Sequence, residues 1–117
     1  MNNNKIKSPN LLKTPVLFLV FNRPDTTKKV FEKIRLAKPR KLYVASDGSR
    51  ESHIGDREKI KIVREIVTRI DWQCKLKILF RDENLGCKKG VSQAISWFFE
   101  NEEQGIILED DCVPHLD

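Results

Sequence analysis

Three consecutive carboxylates, Glu109-Asp110-Asp111, stand directly after the apolar run Ile106-Ile107-Leu108. Adjacent carboxylates repel one another and are costly beside a buried strand unless a cation neutralises them or water reaches them. Alternate side chains of an extended segment point to the same side, so Glu109 and Asp111 form one pair. That spacing suits a divalent cation that also holds a diphosphate. Asp111 is the expected direct metal ligand, with Asp110 and Glu109 reaching a sugar, a ribose or metal-bound water. A solvated acidic turn is the other reading of the triplet.

Further polar residues follow the other apolar runs. Asp47 could accept hydrogen bonds from a base or ribose, or close an Asx turn with Gly48. Asn84-Leu85-Gly86 could aim backbone N–H groups at an anion from the start of a helix, with Lys88 or Lys89 adding positive charge, or could simply lead the chain into that helix. Arg23 and Arg81 could meet phosphate or base, or pair with nearby acidic side chains.

Several chemistries lack their motif. No GxGxxG follows the first apolar run and no GxxxxGK[ST] occurs, which argues against a dinucleotide Rossmann site and a P-loop hydrolase. The first loop has no Gly-rich stretch ending in Arg, unlike sugar nucleotidyltransferases of similar sheet. His53 and His115 have no Ser or Cys partner in a recognisable motif and read as surface residues.

Positioning these residues requires βα units. Strands are expected at Val16 to Phe21, Leu42 to Ser46, Leu76 to Phe80 and Ile106 to Glu109. Helices are expected from about Pro24 to Ala37, from about Glu58 to Ile70, and after Gly86. Pro24 and Asp25 suit a first helical turn. Ile60, Val63, Ile66, Val67 and Ile70 form an apolar stripe, with Lys59, Lys61, Arg64 and Glu65 mostly opposite. Continuous apolarity makes the first and fourth strands look central, whereas lysines alternating through 74–80 look like an edge. Right-handed crossovers then favour strand order 3-2-1-4, the first half of a doubly wound, mainly parallel α/β sheet flanked by helices. Ligands of such sheets bind beyond the carboxyl ends of the strands, here between strands 1 and 4.

Composition supports one modest domain. The 117 residues are 39% hydrophobic, enough for a core, and the run at 16–21 is too short for a signal segment or a membrane span. Residues 1–14 read as a mobile polar tail and 15–117 as the folded unit. Three cysteines without CxxC or His-paired spacing argue for free thiols in a reducing cytoplasm. The net charge of +5 comes from 22 basic and 17 acidic residues, so phosphate ligands and anionic membrane surfaces are admissible. Nucleic acid is not expected, because no aromatic-basic platform accompanies the charge.

TPVLFLVFNRPDTTKKVFEKI, LYVASDG, FRDENLGCKKGVSQAISWFFEN and GIILEDDCVPHLD together resemble the N-terminal nucleotide-sugar-binding segment of GT-A-type glycosyltransferases. The likeness is strongest to bacterial family-2-like transferases and the N-acetylglucosaminyltransferase I group. The resemblance implies a nucleotide-diphosphate sugar donor, with Asp47 near the base and Asn22-Arg23 lining base and ribose. It places Glu109-Asp110-Asp111 at the family's DxD position, where Asp111 would help hold Mn²⁺ or Mg²⁺ on the donor diphosphate. The acceptor would be a glycan or lipid-linked sugar, and the location cytoplasmic, at or near the inner face of the membrane. Arg81, Asn84, Gly86 and Lys89 complete the expected donor site.

Family members continue past this motif to supply the acceptor site and, in inverting enzymes, a carboxylate base. The resemblance therefore implies a half-domain truncated after the DxD-type motif, which binds donor but turns over little alone. Its general base is expected downstream of Asp117, so no catalytic residue is assigned within the sequence. The competing expectation is a non-catalytic nucleotide-binding or assembly module. It would self-associate through the fourth strand, an apolar strand left with one side unpaired.

Overall fold

The computed structural model describes residues 12–110; Asp111, Cys112, His115, Asp117 and most of the expected tail lie outside them. Strands and helices alternate as β1 (Val16–Val20), α1 (Pro24–Ala37), β2 (Lys41–Ser46), α2 (Asp56–Val67), β3 (Lys75–Phe80), α3 (Cys87–Asn101) and β4 (Ile106–Glu109). The four strands form one all-parallel sheet in the order β3-β2-β1-β4. This is the expected α/β architecture and strand order.

Because successive side chains of a strand face opposite sides, β1 serves two cores. Val16, Phe18 and Val20 pack with Leu42 and Val44 of β2, Phe31 and Ile34 of α1, and Val63 and Val67 of α2. Leu17 and Leu19 pack on the other face with Tyr43, Ala45, Ala94 and Phe98. All five β1 residues are buried, which is why the strand carries no polar alternation. Each such side chain contributes about 1.5–3 kcal/mol through removal from water. On the second face the Tyr43 ring meets Trp97 and Phe98 edge-on, with centroids 5.2 and 4.8 Å apart. Phe98 of α3 is therefore core, with Trp97 packed against it, while Phe99 is exposed.

The helix boundaries have local causes. Pro24 opens α1, and Lys38 ends it in the left-handed conformation at φ 51°, its N–H bonded to Ile34 O. The second helix starts two residues before the expected Glu58, after Gly55 at φ 90°. It ends at Val67, short of Ile70, and the hydroxyl of the capping Thr68 donates to the carbonyls of Arg64 and Glu65. Ile70 still packs against the first core. Gly105 precedes β4 where an added Cβ would collide with the Phe98 ring, so the approach of β4 to α3 requires glycine.

The strand β3 lies at one edge, with Lys75 and Lys77 exposed. On its other side the sheet ends at β4, whose composition looks central but which, among the described residues, pairs only with β1. Ile106 and Ile107 there are 39% and 36% exposed. No helix among the described residues is long and apolar enough to cross a membrane.

Candidate functional site

A parallel sheet brings all its strand ends to one rim, and the connections reverse direction between β1 and β4. A cleft of about 260 Å³ opens at that rim. Its walls include Leu19, Val20 and Phe21 from β1 and beyond, Ala45, Ser46 and Asp47 from β2, and Arg81, Asn84 and Gly86 after β3. Glu109 and Asp110 at the end of β4, Arg50 from the loop after β2, and Cys87, Gly90 and Val91 of α3 complete it. Asp47 and the acidic residues ending β4 thus share a cleft.

The Asp47 carboxylate ties two loops together. Its Oδ1 accepts the N–H groups of Gly48 and Leu85, both at 2.9 Å. Its Oδ2 accepts from Gly86 N–H at 3.0 Å and from the Asn84 side-chain amide at 3.2 Å. The Asx turn with Gly48 is present, and these bonds take up about all the acceptor sites a carboxylate offers. Backbone N–H groups at the entrance to α3 are thereby satisfied by an internal anion. Gly48 admits this approach because a Cβ there would stand 2.6 Å from Glu83 C and 2.8 Å from Asp82 C.

Asp110 turns the other way from Glu109, as alternation along a strand requires. It is 6% exposed, and its Oδ2 accepts the buried Thr27 hydroxyl at 2.8 Å and the Phe21 N–H at 3.4 Å. Asp110 thus fastens the end of β4 to α1 and β1, while Glu109 is exposed at the cleft.

Asn22 is held beside the cleft by Asp56, its amide donating to Oδ1 at 2.8 Å. Asp56 is buried and accepts Nε and Nη2 of Arg50 at 2.9 and 3.0 Å, together with the Arg50 N–H at 3.0 Å. The Arg50 guanidinium and its backbone N–H, with Asn22, hold the Asp56 carboxyl well below its usual range against the opposing effect of burial. So fixed, the Arg50 guanidinium lies over the Phe21 ring, 5.2 Å from its centroid, at the cleft wall.

Arg64 of α2 supports the same rim from behind. Nε donates to Ser46 Oγ at 3.0 Å, and Nη2 donates to the carbonyls of Asp47 and Arg81 at 3.1 and 2.8 Å. The guanidinium stacks on Phe80 at 4.8 Å. Burial lowers its pKa, partly offset by Asp82 and Asp47.

No protein-family model, curated protein or solved structure matches this chain.

Of the expected site residues, Asp47, Arg81, Asn84, Gly86, Glu109 and Asp110 line the cleft. Asn22 stands next to it. Arg23 caps α1 and Lys89 is exposed on α3, and neither is among the lining residues. Asp111 lies outside the described residues. Among those described, no group of three or more His, Cys, Asp or Glu side chains could hold a metal ion. Among the described residues Glu109 is the cleft carboxylate not engaged with the protein's own donors. Sequence reasoning missed Arg50, Asp56, Arg64 and Thr27; the only signal was that Arg50 and Asp56 bracket the polar loop after β2.

Proposed function

We propose that this chain is the nucleotide-sugar-binding part of a GT-A-type glycosyltransferase, which transfers a sugar from a nucleoside diphosphate to an acceptor hydroxyl. One observation carries the reading. Residues from the ends of all four strands meet in a single cleft at the point where the sheet reverses direction, lined by apolar residues together with Arg50, Arg81 and Glu109.

The cleft supports the following proposed roles. Leu19, Val20, Phe21 and Val91 offer apolar surface to a base or ribose. Arg50, held by Asp56, and Arg81 offer guanidiniums to phosphate oxygens. Asp47, Asn84 and Gly86 hold the loop that forms one wall. Glu109 and Asp111 would hold Mn²⁺ or Mg²⁺, which as a Lewis acid stabilises charge on the departing diphosphate. A glycan or lipid-linked sugar is the expected acceptor, and the base that would deprotonate it is assigned to no residue up to Asp117. A cytoplasmic location, peripheral to the inner face of a membrane, fits such a donor and acceptor.

Calorimetry with nucleoside diphosphates, with and without Mn²⁺, tests the proposal. Metal-dependent binding that Asp111→Ala or Glu109→Ala abolishes is the expected result; no binding at any metal concentration overturns it. The second reading, an assembly module joined through β4, is favoured by the exposed Ile106 and Ile107 on the edge of that strand. A chain that sediments as a dimer and ignores nucleotide would support it.

A further inference from the structure

The opposite rim of the sheet carries a second concentration of charge. Parallel strands start together there, and a cavity of about 430 Å³ is lined by Lys13, Arg40, Lys41, Gln73, Cys74 and Lys75. Four of those residues are cations and none is a carboxylate. They come from three separate stretches of chain: Lys13 before β1, Arg40 and Lys41 at the start of β2, and Lys75 at the start of β3.

Backbone pairing fixes this gathering. Arg40 N–H donates to Leu12 O at 3.0 Å, and Lys75 N–H donates to Arg40 O at 2.8 Å. Lys41 and Lys75 are register partners in the β2–β3 ladder, so their side chains leave the same face of adjacent strands. Like charges so placed repel. Lys41 is partly compensated by Glu102, with Nζ 3.3 Å from Oε2. That oxygen also accepts the Tyr43 hydroxyl at 2.6 Å. The side chains of Lys13, Arg40 and Lys75 have no hydrogen bond or ion pair among the described residues.

We propose that this cavity is an oxyanion site that takes a phosphoryl group, distinct from the nucleotide cleft at the other rim. Ammonium and guanidinium groups around one concave surface are the donors a phosphate oxygen cluster accepts from, and an anion between Lys41 and Lys75 removes their repulsion. The phosphoryl group is either free, as phosphate or diphosphate, or carried on an anionic lipid headgroup.

Amide NMR of the full chain tests this. Resonances of Arg40, Lys41 and Lys75 are followed with inorganic phosphate, with pyrophosphate, and with vesicles of neutral or anionic phospholipid. The Trp72 indole N–H, which donates to Pro39 O at 2.8 Å next to Arg40, is a further reporter. A free ligand gives saturable shifts at these residues with phosphate or pyrophosphate. A lipid-borne one gives loss of signal with anionic vesicles only. Either response should weaken about tenfold in Arg40→Gln/Lys75→Gln and stay within about twofold in Lys28→Gln/Lys29→Gln, which removes equal charge from α1. A dispersed spectrum for each variant establishes that it folds. No response to any probe, or equal weakening in both variants, overturns the site. Nucleoside diphosphate binding to the Arg40→Gln/Lys75→Gln variant should persist through the opposite cleft, so failure here leaves the glycosyltransferase reading separately testable.

Discussion

Oδ2 of Asp47 accepts the N–H of Gly86 at 3.0 Å, although 39 residues separate the two. The partial positive charge at the start of α3, which would draw a ligand anion, is met instead by a carboxylate of the protein. Under the proposed function, a donor diphosphate would find its positive partners at Arg50, Arg81 and a cation near Glu109.

Removing that carboxylate should loosen both loops. Asp47→Ala strands the N–H groups of Gly48, Leu85 and Gly86, and charge-assisted bonds of this kind are worth about 1.5–3 kcal/mol. A loss of about 3 kcal/mol in urea unfolding is expected, with Asp47→Asn losing about half as much, since its amide retains one acceptor oxygen. Equal stability of wild type and Asp47→Ala would show that the loops hold without it.

Asp56 should contribute to acid sensitivity. Its carboxyl is depressed in the folded chain by Arg50 and Asn22, so its stabilisation is fully present above the unfolded carboxylate value of about 4. That stabilisation is lost as pH falls from there through the lower folded value. Asp56→Asn should be less stable than wild type at neutral pH, and the gap should close in acid. Unfolding curves at a series of pH values measure it, and a gap independent of pH would refute the assignment.

Tyr43, the single tyrosine of the chain, provides a clean readout at the other extreme of pH. Burial first, and its bond to Glu102 second, push its pKa from 10.0 up to about 12. Its contribution to stability is therefore complete below the unfolded value and lost as pH rises through the folded one. Phenolate absorbance should appear near pH 12 in wild type and at lower pH in Glu102→Gln. Titration at the ordinary tyrosine value would mean the ring is solvated.

Strand order could be read from composition because burial on two faces and on one face demand different residues. The unbroken Val16–Val20 run marks the centre, and Lys75 and Lys77 mark an edge. The rim residues Asp47, Asn84, Gly86 and Glu109 were readable for a similar reason, since each stands at or just past a strand end. What stayed hidden depends on partners distant in sequence. Arg64 looks like a solvent-facing residue of α2 by helical spacing, yet its long side chain reaches the carbonyls of Asp47 and Arg81. Asp110 is one of three acidic neighbours until Thr27, 83 residues away, takes its carboxylate. Composition likewise makes β4 look central, although the described sheet ends there.

The central claim is that a nucleoside diphosphate and a divalent cation meet at the carboxyl ends of the strands. Paramagnetic broadening by Mn²⁺ in amide NMR spectra of the full chain measures where the ion sits. With nucleoside diphosphate present, broadening is predicted to centre on Glu109, Arg50, Asp47 and Gly86 while sparing Lys41 and Lys75 at the opposite rim. Broadening that ignores the nucleotide, or that centres on the starts of the strands, would contradict the account.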